Sequence, residues 1–290
     1  MTDGRLVVVA TPIGNLGDLS ARALETLRTA DVIAAEDTRR TRALLTHSDI
    51  PSGRRLVALP AHNERARVPG LVKRIASGEV VALVTDAGTP GIADPGMYLV
   101  QACIEADCLV EVVPGPSAVV AALVLSGLPT DRFVFEGFIP RRGGSRTRVL
   151  EAVATETRTV VMYEAPTRVS ALLADLLVKC AADRPVAVVR EITKLHEEVV
   201  RGTLRAVAAA VASARPRGEY VVVLGGAAKP KEPSADDLQT RVQAELAQAP
   251  AGTTTRAIAD RVANEMGVSR RAAYAAVLTE KRRTDVGPNL

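Results

Sequence analysis

Residues Val84–Gly96 read VTDAGTPGIADPG, and this stretch decides the fold. The apolar run Val80–Val84 has the length and branching of a buried strand. It empties into a segment where Gly, Pro, Ala, Thr and Asp have displaced nearly every large side chain. A plain strand-to-helix connection needs about two to six residues. This one is longer and richer in glycine, which predicts a loop that a ligand touches. Gly88, Gly91 and Gly96 permit positive φ and leave N–H and C=O groups free to face a guest. Asp86 and Asp94 bracket the loop with carboxylates. A helix is predicted after Pro95, with its N-terminus available to polar atoms of the guest.

Toward the amino end, Leu6–Ala10 is an apolar, mostly β-branched run that ends in TPIGNLGD (Thr11–Asp18), with a helix predicted near Ser20. This resembles a dinucleotide fingerprint, and Glu36 and Asp37 in VIAAED fall near the distance of a ribose-binding acid. Only Gly14 and Gly17 are present and Pro12 occupies the tight position, so nicotinamide binding is the minority reading. Leu56–Leu59 reads as a third strand, followed by Pro60, Ala61, His62, Asn63 and Glu64 and a helix through Ile75. Beyond the central loop come a helix to about Ala106, a strand at Val110–Val113 and the turn PGPSA. Strands alternating with helices predict an α/β fold with a mostly parallel sheet whose strand ends carry polar clusters.

The pattern then restarts. Phe133–Phe138 is a predicted strand, RRGGSRTR (Arg141–Arg148) a basic loop, and VVMYEAP (Val160–Pro166) a strand opening into a helix. Val186–Val189 and Glu198–Arg201 read as a strand pair with REITKLHEE between them, and EYVVVLGG (Glu219–Gly226) is the final strand. The organisation expected is an α/β domain over 1–119, a second over 120–228, and a linker with a small helical tail over 229–290. AAKPKEPSA (Ala227–Ala235) reads as the linker. Helices are predicted at Asp236–Gln248, Thr255–Met266 and Ser269–Arg283, with Gly267 and Ser269 as caps. Both a helix-turn-helix and a small solvated bundle fit this tail.

With 290 residues, 47% hydrophobic and 24% charged, the chain has a globular composition. No apolar run matches a bilayer and the amino end lacks the features of a signal peptide, so a cytoplasmic location and no membrane partner are expected. Cys103, Cys108 and Cys180 read as buried thiols. His47, His62 and His196 match no zinc spacing, and no metal is expected. The net charge of +4 hints at a polyanionic partner, while aromatics at 2% argue against base-stacking platforms. Any RNA contact should therefore rest on phosphate, sugar hydroxyl and shape.

Taken together, TPIGNLGD, AEDTR, HNE, TDAGTPGIADPG, PGPSA, MYEAPTR, REITKLHEE and GEYVVVLGG, in that order, resemble the ribosomal RNA small subunit methyltransferase I family of the tetrapyrrole methylase superfamily. The resemblance covers about residues 5–226. It implies two α/β domains with S-adenosylmethionine in the cleft between them, a homodimer, and 2′-O-methylation of a cytidine in 16S ribosomal RNA of the 30S subunit. It places Ala87, Gly88, Thr89 and Pro90 at the amino-acid and ribose side of the cofactor, with Ala93 and Asp94 close by and Ser117 and Ala118 as a wall. Met162, Tyr163, Glu164, Ile192 and Tyr220 would hold the adenine, and Pro12 and Gly14 complete the cofactor set. Ordinary core packing is the competing reading for Met162, Tyr163 and Ile192.

For proton removal, Asp94, Glu36, Asp37 and His62 are the catalytic candidates, with Asp18 and Asp86 as further carboxylates. Helix capping by Asp18 and Asp94, and pairing of Glu36 and Asp37 with Arg39 or Arg40, are the competing readings. Asn15, Arg39, His62, Asn63 and Glu64 suit a polar substrate rim. Arg141, Arg142, Arg146 and Arg148 form either a flexible phosphate grip or a solvated surface loop. Two other functions compete: methylation of a tetrapyrrole or corrin precursor, and non-catalytic RNA binding on the ribosome. The proline-bearing first loop and the basic segments speak against the former. The full set of pocket motifs speaks against the latter.

Overall fold

The computed structural model describes residues 4–228, 233–250 and 252–285. They form two compact units that divide at Ala227/Ala228. The first contains two five-stranded sheets and the second is helical.

The first sheet is built from β1 (Arg5–Val9), α1 (Ala21–Thr29), β2 (Val32–Ala35), α2 (Thr38–His47), β3 (Leu56–Ala58), α3 (Glu64–Ala76), β4 (Val80–Val84), α4 (Met97–Glu105) and β5 (Leu109–Val113). All strands run parallel in the order β3-β2-β4-β1-β5. Its central strands are unbroken Val, Ile, Leu and Ala runs because helices cover both faces. Leu6, Leu83 and Val81 meet Leu71, Ile75 and Leu99 of α3 and α4 on one side. On the other, Val7, Ile33 and Val84 meet Ala23, Leu27 and Leu45 of α1 and α2. The neighbouring strands β1 and β4 thus send their helices, α1 and α4, to opposite faces. That divergence opens a crevice at their carboxyl ends, the place where open α/β sheets take ligands.

The second sheet follows with α5 (Ala118–Ser126), β6 (Phe133–Phe138), α6 (Gly143–Thr155), β7 (Thr159–Glu164), α7 (Val169–Lys179), β8 (Pro185–Arg190), β9 (Glu198–Thr203), α8 (Leu204–Ser213) and β10 (Tyr220–Leu224). Its order is β6-β7-β10-β8-β9, with only β6 and β7 parallel. Met162, Val188 and Val222 face Leu150, Leu172 and Leu204 of α6, α7 and α8. Val161, Ala187 and Val223 face the other way, onto Val119 and Leu123 of α5 and onto Ile13 from the first lobe. A register shift between Phe135 and Gly137 interrupts β6, with Gly137 at φ 64°. Residues an odd number apart normally point to opposite faces. Across this bulge, Phe135 and Phe138 both meet the ring of Tyr163, at 4.9 and 5.5 Å between centroids.

One expectation is corrected here. The basic stretch from Arg141 is not a loop, because α6 begins at Gly143 with Arg142 as its N-cap residue. Two adjacent glycines suggested a break, but they sit in the first turn of the helix, where the backbone N–H groups have no intrahelical partner in any case.

The helical unit consists of α9 (Ala235–Gln248), α10 (Thr255–Met266) and α11 (Arg270–Asp285) around Val242, Ile258, Val262, Ala273 and Val277. Ser234 and Asp237 form a capping box on α9, Gly267 ends α10 at φ 67°, and Ser269 accepts the Ala272 N–H ahead of α11. The middle of the expected linker lies outside the described residues.

Candidate active site

The loops leaving β1 and β4 are tied to one another at Thr11 and Gly88. Thr11 N–H donates to the Gly88 carbonyl at 2.9 Å, Gly88 N–H donates to the Thr11 carbonyl at 3.1 Å, and the Thr11 hydroxyl donates to the Thr85 carbonyl at 3.1 Å. Gly88 holds φ 85° to do this. A Cβ placed there would be 3.5 Å from Ile13, an ordinary contact, so glycine is required by conformation rather than by a lack of space.

Beyond this bridge a cavity of about 350 Å³ opens between the two sheets. The first lobe contributes Ala87, Gly88, Thr89, Ala93 and Asp94 from the long loop, and the connection into the second lobe contributes Ser117 and Ala118 at the start of α5. The second lobe contributes Tyr163 and Glu164 from the end of β7, together with Ile192 and Tyr220. Sequence reasoning missed Ile13, Ile92, Phe138, Ala165, Pro166, Glu219 and Val221, which also line it. Phe138 arrives through the β6 bulge, which no local pattern announces. Glu219 stood next to a predicted residue and was legible as the acid of GEY.

Three acidic residues, Asp94, Glu164 and Glu219, line this cavity, and Glu219 pairs with Lys194 at 3.0 Å. Burial, reinforced by the negative charges of Glu36, Asp86 and Glu219, pushes Asp94 up to about 6. Burial beside Asp94 likewise pushes the Tyr163 hydroxyl up to about 12. The Glu164 side chain is fully buried. Its Oε1 takes the Ala165 N–H at 2.8 Å and pairs with Arg168 at 2.5 Å, while Oε2 has no hydrogen-bond partner within the protein. An orphaned carboxylate oxygen in a cavity wall is the mark of a missing donor. The arrangement suits a ligand with a cationic end, several N–H or O–H donors and a flat apolar part against Phe138, Tyr163 and Ile192.

A second cavity, of about 270 Å³, lies along α2 and is lined by Thr11, Pro12, Leu16, Arg40, Leu44 and Asp86 among others. Glu36 stands beside the loop shared by the two cavities. Its Oε2 accepts the Thr85 hydroxyl at 2.6 Å and the Asp86 N–H at 3.3 Å. Burial, and after it the charge of Glu36, raises Asp86 above the ordinary carboxylate range.

Several sequence expectations are corrected. Met162 is fully buried on the helix-covered face of its sheet, because strand alternation sends it away from its neighbour Tyr163. Pro12 is buried and lines the second cavity, not the first. Gly14 backs onto Lys194 and Thr193, so its smallness lets the 191–197 loop approach, and Pro90 is buried and outside the cavity lining. Asp37 caps α2 and pairs with Arg39 at 2.8 Å, which holds its carboxyl down to about 2 and removes it as a proton acceptor. His62 is exposed on a short 3-10 turn (Ala61–Asn63) with Asn63, and neither lines either of these two cavities. Glu64 is buried and binds the N-terminus of α4, so it is no part of a substrate rim and no guest meets that terminus. Asn15 folds back on Gly17 N–H at 3.0 Å. Arg146 pairs with Asp175 at 2.6 Å and donates to the Pro140 carbonyl, which takes it out of any phosphate grip, whereas Arg141, Arg142 and Arg148 are exposed.

Two α/β lobes joined around a cavity of mainly apolar side chains and a few acidic ones define a class, and residues 5–208 match the family model for Tetrapyrrole (Corrin/Porphyrin) Methylases. The solved structures share this architecture. Cobalt precorrin-4 methyltransferase superimposes with a TM-score of 0.57 at 20% identity, over 76% of this chain and 93% of that one. Uroporphyrin-III C-methyltransferase from Thermus thermophilus, complexed with S-adenosylhomocysteine, gives 0.54 at 24% identity, over 77% and 97%. Sequence relatives are nearer. Proteins named ribosomal RNA small subunit methyltransferase I from Synechocystis sp. and Mycobacterium tuberculosis are each 45% identical, the first over 93% of this chain and 96% of its own, the second over 98% of both. The chain belongs to the ribosomal RNA small subunit methyltransferase I family. It is a methyltransferase, and its cofactor is S-adenosylmethionine.

The cavity fits that cofactor by its own chemistry. Its carboxylates suit a sulfonium and an ammonium group, the orphaned Glu164 oxygen suits a ribose or adenine donor, and the apolar wall suits adenine.

Proposed function

We propose that this protein methylates a ribose 2′-hydroxyl of a cytidine in 16S ribosomal RNA, working as a cytoplasmic homodimer on the small ribosomal subunit. The observation that carries this reading is near-full-length identity of 45% to relatives named for small-subunit ribosomal RNA, combined with an intact cavity for the methyl donor. Among the described residues no helix is long and apolar enough to cross a membrane. Leu109 and Val112 on the edge strand β5, and Val120 and Val124 on α5, are half or more exposed, which favours coverage by a second copy.

S-adenosylmethionine, when bound, supplies a methyl group on an electron-poor sulfur. Ala87 and Thr89 hold its polar end through the backbone on either side of Gly88, whose own N–H and C=O are taken by the Thr11 bridge. Tyr163, Phe138 and Ile192 enclose its flat end, and Glu164 Oε2 accepts one of its donors. A ribose hydroxyl is a weak nucleophile, so orientation supplies much of the rate, with effective molarities on the order of 10⁵ M or more. Asp94 takes the proton that the hydroxyl loses. With its affinity raised to about 6, the carboxylate is a better base than an ordinary Asp while still ionised at neutral pH.

The test is methyl transfer from labelled donor to 30S particles, naked 16S RNA and a tetrapyrrole precursor. Label on a ribose of the 30S particle is the expected result. Label on the tetrapyrrole alone overturns the proposal.

A further inference from the structure

The second cavity carries an inference of its own. We infer that it receives the base of the acceptor nucleotide, and that Arg40 and Asp86 together select a base bearing an exocyclic amine. This rests on the RNA reading above and adds to it a base-binding site and a rule for which bases enter.

The cavity adjoins the cofactor site directly. The Thr11–Gly88 bridge gives Thr11 to one cavity and Gly88 to the other, and Asp86, Ala87 and Gly88 pass from one lining into the next. Its walls are apolar where a ring would lie, from Pro12, Leu16, Ala43 and Leu44. Its charged groups are a donor and an acceptor side by side, while the Thr11 and Thr85 hydroxyls in the same lining donate to the Thr85 carbonyl and to Glu36. Arg40 Nη1 stands 3.5 Å from Asp86 Oδ2, a loose pair that leaves both groups with hydrogen-bonding capacity. Asp86 Oδ1 accepts the Asp37 N–H at 3.2 Å, which fixes the carboxylate in place.

A carboxylate next to a guanidinium complements an amine beside a ring nitrogen acceptor. Cytosine presents N4–H₂ beside N3, and adenine N6–H₂ beside N1. With the sugar held toward the cofactor site and the ring against the apolar walls, uracil and guanine in the same register present a carbonyl where the carboxylate sits and an N–H where the guanidinium donates, so both contacts become repulsive. The phosphates have a place too. Arg39 and Arg42 are exposed on α2 near Arg40, and a polyanionic backbone can run along that helix while its base turns inward.

The experiment uses the full chain loaded with S-adenosylhomocysteine and titrated with CMP, AMP, UMP and GMP, followed by NMR. CMP and AMP are expected to bind about 10-fold or more tightly than UMP and GMP. Arg40→Ala, a change at an exposed position, and Asp86→Asn should each erase the preference while S-adenosylhomocysteine affinity stays within about 2-fold. Equal binding of all four nucleotides, binding of none, or a preference that survives both substitutions overturns the inference. Methyl transfer to 30S particles, measured alongside, separates the two readings. Variants that label 30S as well as the parent sink the base site alone. A parent that labels no RNA, yet prefers CMP and AMP through Arg40, sinks the proposed function alone.

Discussion

Glu64 Oε1, on the first turn of α3, accepts the backbone N–H of Gly96 at 2.9 Å, and also those of Tyr98 at 3.0 Å and Leu99 at 3.4 Å. One buried carboxylate thus satisfies three donors at the start of α4 and adds a favourable charge to the helix dipole. The central loop is therefore anchored at its far end by protein, while its middle lines the cavity between the sheets. Glu64→Ala leaves those donors buried and unpaired, and should cost about 2 kcal/mol of stability. Glu64→Gln, which keeps one acceptor oxygen, should cost less. Thermal unfolding checks both, and an unchanged midpoint for the alanine variant would remove Glu64 from the cap.

Asp94 gives a prediction with a defined sign. Its pKa is raised from 3.8 to about 6, so folding favours the protonated form. The associated stability is fully present below the unfolded value near 3.8 and is lost as pH rises through about 6. Asp94→Asn should therefore raise the unfolding midpoint at pH 8 relative to the parent and leave it nearly unchanged at pH 3.5. Activity should run the opposite way. If the carboxylate accepts the proton, the acid limb of kcat/KM near pH 6 disappears in Asp94→Asn along with most of the rate, about 10²-fold or more. A retained limb would assign the proton to another group.

At Gly88 the need for glycine is conformational. The residue sits at φ 85° where an added Cβ would make only ordinary contacts with Ile13 and Pro116, and both its N–H and C=O are committed to Thr11. Gly88→Ala should strain the backbone by about 1–2 kcal/mol without a clash. Donor affinity, read by calorimetry with S-adenosylhomocysteine, should fall about 10-fold as the bridge loosens. Total loss of binding would instead indicate a close approach of the cofactor to that carbon.

How much of this was legible depends on the range of the interaction. The strands of the first sheet were readable from runs such as Leu6–Ala10 and Val80–Val84, since burial on both faces leaves nothing but apolar residues there. The central loop was readable because glycine and proline crowd it. Glu64 was not, because its partners lie more than thirty residues away and only the packing of α3 on α4 brings them together. Met162 could have been rejected from sequence, since it and Tyr163 are neighbours on one strand and cannot share a face. Phe138 could not have been chosen, because only the bulge at Gly137 turns it toward Tyr163.

The arginines around α6 separate a fold role from a surface role. Arg146 is largely buried, with its Nε and Nη2 on Asp175 at 2.9 and 2.6 Å and Nη1 on the Pro140 carbonyl at 3.0 Å. It ties α6 to α7 and to the end of β6. Arg141 and Arg142 stand exposed ahead of the helix. Arg146→Ala should thus lower stability by about 1–3 kcal/mol while leaving the salt dependence of RNA binding unchanged. Arg141→Ala with Arg142→Ala should leave the unfolding midpoint within about 0.5 kcal/mol of the parent. If these two side chains touch phosphate, the pair should weaken 16S RNA binding and flatten its salt dependence by up to about one logarithmic unit per lost contact. Filter binding at several salt concentrations reads the slope directly. An unchanged slope in the double variant would make this end of α6 an ordinary solvated surface and shift the search for the phosphate track to the arginines of α2.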